Sequence, residues 1–170
     1  MKIIFYFNIL IVLIVFSLSN CTSNKYSLKR VTYNAAQEIQ NRTNLNDTIA
    51  VMDASLLTGN LNKQIITWLE NHLLITGKFK IVSRQRINTI MREINFGFSG
   101  YINDETAQRI GKFLGAKYIL VFELIDINNK SYLNIQVLET ETGTLVYSNS
   151  FRINNSEIDN NRINKKSFRF

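Results

Sequence analysis

The sequence predicts an α/β (α+β) domain built on a mixed sheet of about five strands. Three observations lead to this prediction. A strand–helix–strand pattern with short connections opens the domain, which favours a parallel strand pair joined by a right-handed crossover. Two further segments with helical spacing of apolar residues follow. The chain then alternates apolar and polar residues between turn signals, which is typical of a C-terminal antiparallel meander.

The chain begins with the pattern of an exported, membrane-anchored protein. Lys2 supplies a positive charge, Ile3–Leu18 is almost wholly apolar, and Leu18-Ser19-Asn20-Cys21 follows. This pattern resembles a bacterial lipoprotein signal, with residues 1–20 as the signal peptide and Cys21 as the lipidated residue that attaches the protein to a membrane. The apolar run has about 16 residues, fewer than the roughly 20 that a spanning helix prefers. An uncleaved anchor or an ordinary signal peptide is the alternative.

The charge of the chain suits anionic neighbours. The 20 Lys and Arg exceed the 13 Asp and Glu, and without Lys2 the side chains still give 19 − 13 = +6. Lipid headgroups, acidic wall polymers or an acidic protein surface would complement this surplus, whereas ordinary solvation of scattered charges is the alternative. Nucleic acid is not an expected partner of an exported chain. The densest basic cluster consists of Arg162, Lys165, Lys166 and Arg169.

Residues 21–47 are predicted to be the lipidated cysteine and a flexible tether. They are polar and rich in asparagine, and Tyr33–Gln40 could form a short helix. As coil, this segment would span about 25–30 Å. Fully extended it would reach roughly 90 Å, so that the domain could work well away from the membrane.

The domain is predicted from residue 48 to 153. It opens with a strand over Thr48–Ala54, continues with a helix that Asn60 could cap and that Gly77 ends, and returns in a strand over Phe79–Val82. Trp68 lies in the middle of the apolar face of that helix, so we expect it to be buried against the sheet.

The second half of the domain begins with a helix over Arg84–Asn95. A loop of glycines and aromatic residues, Phe96–Tyr101, leads to a helix that Asn103 caps, with Asp104 and Glu105 favourably placed in its first turn. Three strands follow, with turn signals at Asn128-Asn129 and Thr142-Gly143: Tyr118–Ile125, Ser131–Glu139 and Thr144–Ile153. Residues 154–170 are predicted to be a loose, polar and basic tail.

Residues suited to catalysis are scarce. His72 is the only histidine, lies at the edge of an apolar helix face, and is interpreted as structural. It has no second histidine or available cysteine with which to form a zinc site. Asp53 ends the first strand, where α/β sheets often place functional groups. We therefore expect no enzymatic activity, catalytic residue, cofactor or metal.

The aromatic loop is the better candidate for function. Phe96, Phe98 and Tyr101 flank two glycines, and exposed aromatic side chains on a loop are good anchors for a protein partner. The alternative is that Phe96 and Phe98 fold back into the core.

Several segments of the domain resemble the CsgG/LpoB-like lipoprotein family, which includes the curli-secretion lipoprotein and penicillin-binding-protein activators. The resemblance covers most of the chain after residue 47. It is carried by Thr48–Asp53, Gly77–Arg84, Ile90–Glu93, Ser99-Gly100, Asp104, the small-residue stretch Ala107–Tyr118, and Thr142-Gly143.

The resemblance implies a lipid-anchored binding protein of the cell envelope, at the periplasmic face of the outer membrane. Its expected role is to regulate peptidoglycan synthesis through a penicillin-binding protein. The alternative is a subunit or accessory of a CsgG-like outer-membrane secretion assembly. Such pores insert long amphipathic hairpins, and a membrane-crossing strand needs about 9–11 residues. The stretch from Arg84 to Leu114 has no room for them, which favours the activator.

Overall fold

The structure, a computed structural model, describes residues 26–43, 46–54, 59–93 and 102–154. Within these residues the chain forms four helices and one five-stranded sheet. The helices are α1 (Leu28–Gln40), α2 (Asn60–Ile75), α3 (Arg84–Glu93) and α4 (Asp104–Leu114). The strands are β1 (Asp47–Asp53), β2 (Phe79–Ile81), β3 (Tyr118–Ile127), β4 (Lys130–Glu139) and β5 (Leu145–Ile153). The predicted mixed α+β class is confirmed.

The strands lie in the order β2-β1-β3-β4-β5. β1 pairs in parallel with both β2 and β3, so that Ile49 lies opposite Ile81 on one side and Tyr118 on the other. β3, β4 and β5 then pair antiparallel. The predicted strand–helix–strand opening and the C-terminal meander are therefore both present.

Most turns and caps follow the sequence, but Asn60 is the first residue of α2 and Gly59 is its cap, so the predicted cap at Asn60 is wrong. Asn128 and Asn129 both have positive φ, 48° and 59°, as a two-residue hairpin loop of type I′ requires. Gly77 follows α2 with a φ of 71°. The side chain of Asn103 accepts a hydrogen bond from the Thr106 N–H at 2.9 Å, which caps α4 as predicted.

The sheet separates two apolar cores. On one face, α1 and α2 cover alternate residues of the central strands, including Ile49, Val51, Leu120, Phe122, Leu133, Ile135 and Val137. On the other face, α3 and α4 cover a smaller set that includes Ala50, Met52, Ile119, Val121 and Leu138. β1 and the first half of β3 are thus apolar on both faces, as central parallel strands must be.

Helix α1 corrects the expected tether. Residues 26–43, predicted as tether apart from a short helix, belong to the folded domain. Ser27 caps the helix by accepting a hydrogen bond from the Arg30 N–H at 3.3 Å. Its buried apolar side chains recur at helical spacing and lie in the first core: Leu28, Val31, Ala35, Ala36 and Ile39. This pattern is hard to recognise in the sequence, because the segment is polar and two of the five buried apolar residues are alanines, which are only weakly hydrophobic.

Polar contacts join α1 to the far edge of the sheet. The Tyr147 hydroxyl of β5 donates to Glu38 Oε2 at 2.9 Å, and the Asn149 amide donates to the same oxygen at 3.2 Å. Burial, with the hydrogen bond to Glu38 as a second cause, raises the pKa of Tyr147. Tyr26 forms an isolated parallel bridge with Ile153. The chain is therefore held to the sheet from residue 26 onwards.

Trp68 does not lie at the centre of its helix face. The fully buried side chains of α2 are Ile65, Leu69 and Leu73, whereas Trp68 is partly buried beside them. The prediction that Trp68 is buried against the sheet is therefore wrong in degree. A bulky indole at the edge of the face covers the core without entering it.

His72 has the structural position that its sequence context predicts. It is 9% exposed, and its Nδ1 lies 3.1 Å from Thr32 Oγ1 on α1. The Tyr33 ring meets the imidazole edge-on with centroids 5.6 Å apart. Burial, and secondly the charge of Lys29, lower its pKa, so the imidazole is a neutral part of the contact between α1 and α2.

The apolar segment 3–18 and Cys21 lie outside the described residues. None of the helices in the described part of the chain is long and apolar enough to cross a membrane.

Candidate partner-binding surface

On the second sheet face, the helices of the described residues lie over only part of the sheet. α3 and α4 cover that face near β1 and the start of β3, whereas none of the described helices covers its outer part, over β4 and β5. Because successive side chains of a strand point to opposite faces, polar side chains of β3, β4 and β5 lie on this outer part of the second face. We call this surface the open sheet face and define it as Val121, Glu123, Asn134, Gln136, Ser148 and Ser150.

The open sheet face is ordered by the strand register. Gln136 lies between Val121 and Ser148, and the next row on the same face places Asn134 between Glu123 and Ser150. The Ser150 hydroxyl donates to Asn134 Oδ1 at 2.6 Å, which ties the last two strands together. These polar groups thus form a regular array on a rigid support.

The start of α4 makes the open sheet face into a groove of about 910 Å³. Asn103, Asp104 and Glu105 form one wall. The backbone fixes that wall to the sheet, because the Ile102 N–H donates to the Ala54 carbonyl at 2.9 Å and the Ala54 N–H donates to the Phe122 carbonyl at 2.8 Å. The groove is therefore a built part of the fold.

The groove is acidic on a basic protein. Its described lining includes the carboxylates of Asp104, Glu105 and Glu123 and no Lys or Arg. The whole chain, in contrast, has a formal net charge of +7. The remaining lining groups are mostly amides and hydroxyls that can both donate and accept hydrogen bonds. Such a surface suits a basic, polar protein partner.

A second cavity, of about 450 Å³, lies between α2 and α3 at the end of β1. Its charges are largely satisfied within the domain. Arg84 Nη2 lies 2.6 Å from Glu70 Oε1. It also donates to the Val51 carbonyl at 2.7 Å, at a point of β1 that lies beyond the end of the neighbouring short strand β2. Asp53 is buried and accepts a hydrogen bond from Asn62. Arg84 Nη2 and Asp53 therefore have structural roles, whereas Arg84 Nε is buried without a hydrogen-bond partner among the described residues.

The site residues predicted from the sequence lie outside the described residues. This holds for Cys21 and for the loop residues Phe96, Phe98 and Tyr101, whose role stays a prediction. Ile102, the first described residue after that loop, lines the groove. The described residues contain no group of three or more His, Cys, Asp and Glu that could hold a metal.

The open sheet face itself was not predicted as a site. The sequence does signal it, because Tyr132, Asn134 and Gln136 alternate with the apolar residues of β4. The signal is incomplete, since alternation shows that one side of a strand is polar and not which other segments lie beside it.

The family model of the peptidoglycan-synthase activator LpoB matches residues 45–153. The solved structures that are similar to this chain include three of LpoB. The LpoB C-terminal domain from Escherichia coli has a TM-score of 0.61 and 18% identity, covering 76% of this chain and 99% of that one. The corresponding domain from Salmonella enterica has a TM-score of 0.60 and 20% identity, covering 75% and 98%. The NMR structure of E. coli LpoB has a TM-score of 0.59 and 19% identity, covering 79% and 71%.

At these identities the structural likeness shows the fold alone, and no curated protein matches the chain. The comparisons support the activator branch of the resemblance and give no support to the curli-secretion branch, so the secretion-assembly alternative is not favoured. The family match spans well over half of the sequence and includes all five strands of the sheet. The chain belongs to the peptidoglycan-synthase activator LpoB family.

Proposed function

We propose that this protein is a lipid-anchored activator of a peptidoglycan synthase, held at the periplasmic face of the outer membrane through Cys21. Membership of the activator family is the observation that supports the role. The expected partner is a penicillin-binding protein. The activator acts by binding it, and the chemistry belongs to the synthase.

The open sheet face and its groove are the proposed contact surface. An acidic groove about 910 Å³ in volume offers a basic protein segment three carboxylates and a row of amide and hydroxyl groups. Complementary charge speeds association and selects the partner, and the hydrogen-bonding groups fix its orientation. Because the groove is built on strands and a capped helix, little conformational entropy is lost when the partner binds.

The aromatic loop would extend this surface. It joins the groove at Ile102, whose backbone is fixed to Ala54. We propose that Phe96, Phe98 and Tyr101 add apolar anchors beside the polar groove, since interfaces draw most of their affinity from a few aromatic or arginine side chains.

Activation follows if the activator binds the active conformation of the synthase more tightly than the inactive one. A ligand shifts such an equilibrium only by its difference in affinity for the two states. Loss of groove contacts should therefore lower both the affinity and the maximal stimulation of the synthase.

Matched charge reversals test the proposed surface. Glu105 and Glu141 are both exposed carboxylates, but Glu105 lines the groove and Glu141 lies in the β4–β5 turn. Purified protein is titrated against a penicillin-binding protein of the same organism, and the rate of glycan polymerisation is measured.

Glu105→Lys should raise the activator concentration that gives half-maximal stimulation by about tenfold or more, because the new positive charge repels a basic partner. Glu141→Lys should behave as the unchanged protein. Equal curves for the two variants would contradict the surface, and failure of the unchanged protein to stimulate any synthase would contradict the role.

The anchor has a separate test. The unchanged protein should incorporate labelled fatty acid and partition into detergent, and Cys21→Ala should abolish both. Continued labelling of Cys21→Ala would contradict the lipid anchor while leaving the synthase contact intact.

A further inference from the structure

The two ends of the described domain meet at one corner. The Tyr26 N–H donates to the Arg152 carbonyl at 3.4 Å, and the Asn154 N–H donates to the Tyr26 carbonyl at 3.3 Å. The chain that leads from Cys21 and the chain that continues to the basic tail therefore leave the domain side by side.

The distance from Cys21 to this corner is short. Four residues separate Cys21 from Tyr26, which bridges to Ile153. Five Cα-to-Cα steps span at most about 18 Å when fully extended. The predicted tether would reach roughly 90 Å when fully extended. The link between the lipidation site and the domain is much shorter, because α1 takes up most of the predicted tether. A lipid on Cys21 would therefore hold the corner close to the membrane surface.

The corner is basic and partly apolar. We call it the anchor-side corner and define it as Tyr26, Lys29, Arg30, Ile127, Lys130 and Arg152. Lys29 and Arg30 are exposed in the first turn of α1, and the Arg30 guanidinium lies 5.7 Å from the centre of the Tyr26 ring.

The β3–β4 hairpin completes the corner. Ser131 pairs with Ile153, so the preceding residue, Lys130, lies at this end of the sheet and is exposed. Ile127, directly across from Lys130, is 51% exposed. The carboxylate of Asp126 accepts a hydrogen bond from Ser131 Oγ at 2.5 Å, so part of its hydrogen-bonding capacity is met within the hairpin.

The basic first turn of α1 also opposes the helix dipole. Its described residues include no acidic side chain, although helix N-termini favour negative charge. Two cations at this position are unfavourable for the isolated helix. Phosphate groups placed against the corner would compensate for both the side-chain charges and the dipole.

We propose that the anchor-side corner rests on anionic phospholipid headgroups, and that this contact orients the domain on the membrane. The inference rests on the lipid anchor of the proposed function. A basic patch beside a lipid anchor adds electrostatic attraction to anionic lipids. Arg162, Lys165, Lys166 and Arg169 follow Asn154 in the sequence, so the chain that carries them leaves the domain at this corner. The synthase must then meet this activator near the membrane surface.

Vesicle binding tests the proposal without the lipid. The mature chain carrying Cys21→Ala is mixed with phosphatidylcholine vesicles that contain or lack phosphatidylglycerol, and the bound fraction is measured by sedimentation. The protein should bind only the vesicles that contain phosphatidylglycerol. The triple variant Lys29→Ala/Arg30→Ala/Lys130→Ala should bind them about a hundredfold more weakly, since each basic residue near the surface contributes about fivefold.

A control triple variant removes the same charge elsewhere. Lys63, Lys80 and Lys112 are exposed residues outside the corner, and Lys63→Ala/Lys80→Ala/Lys112→Ala should retain most of the binding. Melting curves establish that both triples fold. Equal losses in the two triples, or no binding of the Cys21→Ala protein to anionic vesicles, would overturn the proposal.

A second readout separates this proposal from the synthase contact. In detergent solution the anchor-side triple should stimulate the synthase as well as the unchanged protein does. Loss of stimulation would show that the corner is a protein interface and overturn its assignment to lipid. Deletion of residues 155–170 should weaken vesicle binding further and leave stimulation unchanged.

Discussion

The two faces of the sheet differ in what covers them, and the outer strands show the difference residue by residue. On one face, α1 and α2 bury Leu133, Ile135 and Val137 completely. On the other face, Asn134 and Gln136 remain partly exposed and line a groove of about 910 Å³. A single strand therefore contributes both to the core and to the candidate binding surface, through neighbouring residues.

This difference follows from where the helices attach. α2 follows β1, and α3 and α4 follow β2, so the helices of the crossovers lie over the parallel half of the sheet. The antiparallel half is joined by short turns, which bring no helix with them. On the face that carries Leu133, Ile135 and Val137, the antiparallel half is covered by α1. This helix precedes β1 and so belongs to neither crossover. Among the described residues, no such helix lies over the second face of this half.

The largest expected effect comes from two neighbouring residues of β4. Ile135→Ala should lower the free energy of unfolding by about 2–5 kcal/mol, because it leaves a cavity in the covered core. Gln136→Ala should change it by less than about 0.5 kcal/mol, because its side chain faces the groove. Urea denaturation of both variants measures the difference. Similar losses would mean that the two faces are not distinct in packing.

A smaller effect is expected where α4 packs on the second face. A methyl group added at Gly111 would overlap Thr140 Cγ2 and come within 3.1 Å of Thr140 Cβ. Gly111→Ala should therefore destabilise the domain by about 1–3 kcal/mol through overpacking.

A double variant sharpens that result. Thr140→Ser removes Cγ2 and keeps the hydroxyl that donates to the Ala116 carbonyl at 2.5 Å. Gly111→Ala/Thr140→Ser should recover much of the stability lost by Gly111→Ala in the same urea titration. No recovery would show that the clash is not with the Thr140 methyl group.

The smallest effect concerns pH and the contact between α1 and α2. The pKa of His72 in the folded state lies below its ordinary value of 6.5, because of burial first and Lys29 second. Since the unfolded chain takes up this proton more readily, the stabilising contribution is complete above pH 6.5. It decreases as the pH falls from 6.5 towards the lowered folded value. Thermal melts across this range should show a shallower slope for His72→Gln than for the unchanged protein, and identical slopes would exclude His72 as the cause.

The sequence predicted most of the sheet because its signals are local. The asparagine turn at 128–129, the cap at Asn103 and the alternation in β4 each depend on a few neighbouring residues. Only the second half of helix α1 was predicted, as a short helix within a tether, since its buried face includes Ala35 and Ala36, which carry a weak hydrophobic signal within a polar segment.

The candidate surface was harder to predict because it joins distant segments. The sequence predicts Asp104 and Glu105 only as first-turn residues of a helix, and Ser148 and Ser150 only as strand residues. Only the packing of α4 against the sheet brings these four into one groove. The length of the link to Cys21 likewise depends on Tyr26 being paired with Ile153, a contact that no local pattern indicates.

Thiol footprinting tests most directly whether the open sheet face meets the synthase. Cys21 is the only cysteine of the sequence, so a cysteine introduced into the Cys21→Ala variant is the only thiol of the protein. Ser148→Cys reports on the groove, and Lys112→Cys reports on an exposed residue outside it. The rate of alkylation of each thiol is measured with and without the penicillin-binding protein. We predict that the synthase slows alkylation at position 148 and leaves position 112 unchanged. Protection at position 112 with none at position 148 would contradict the assignment of the open sheet face as the binding surface.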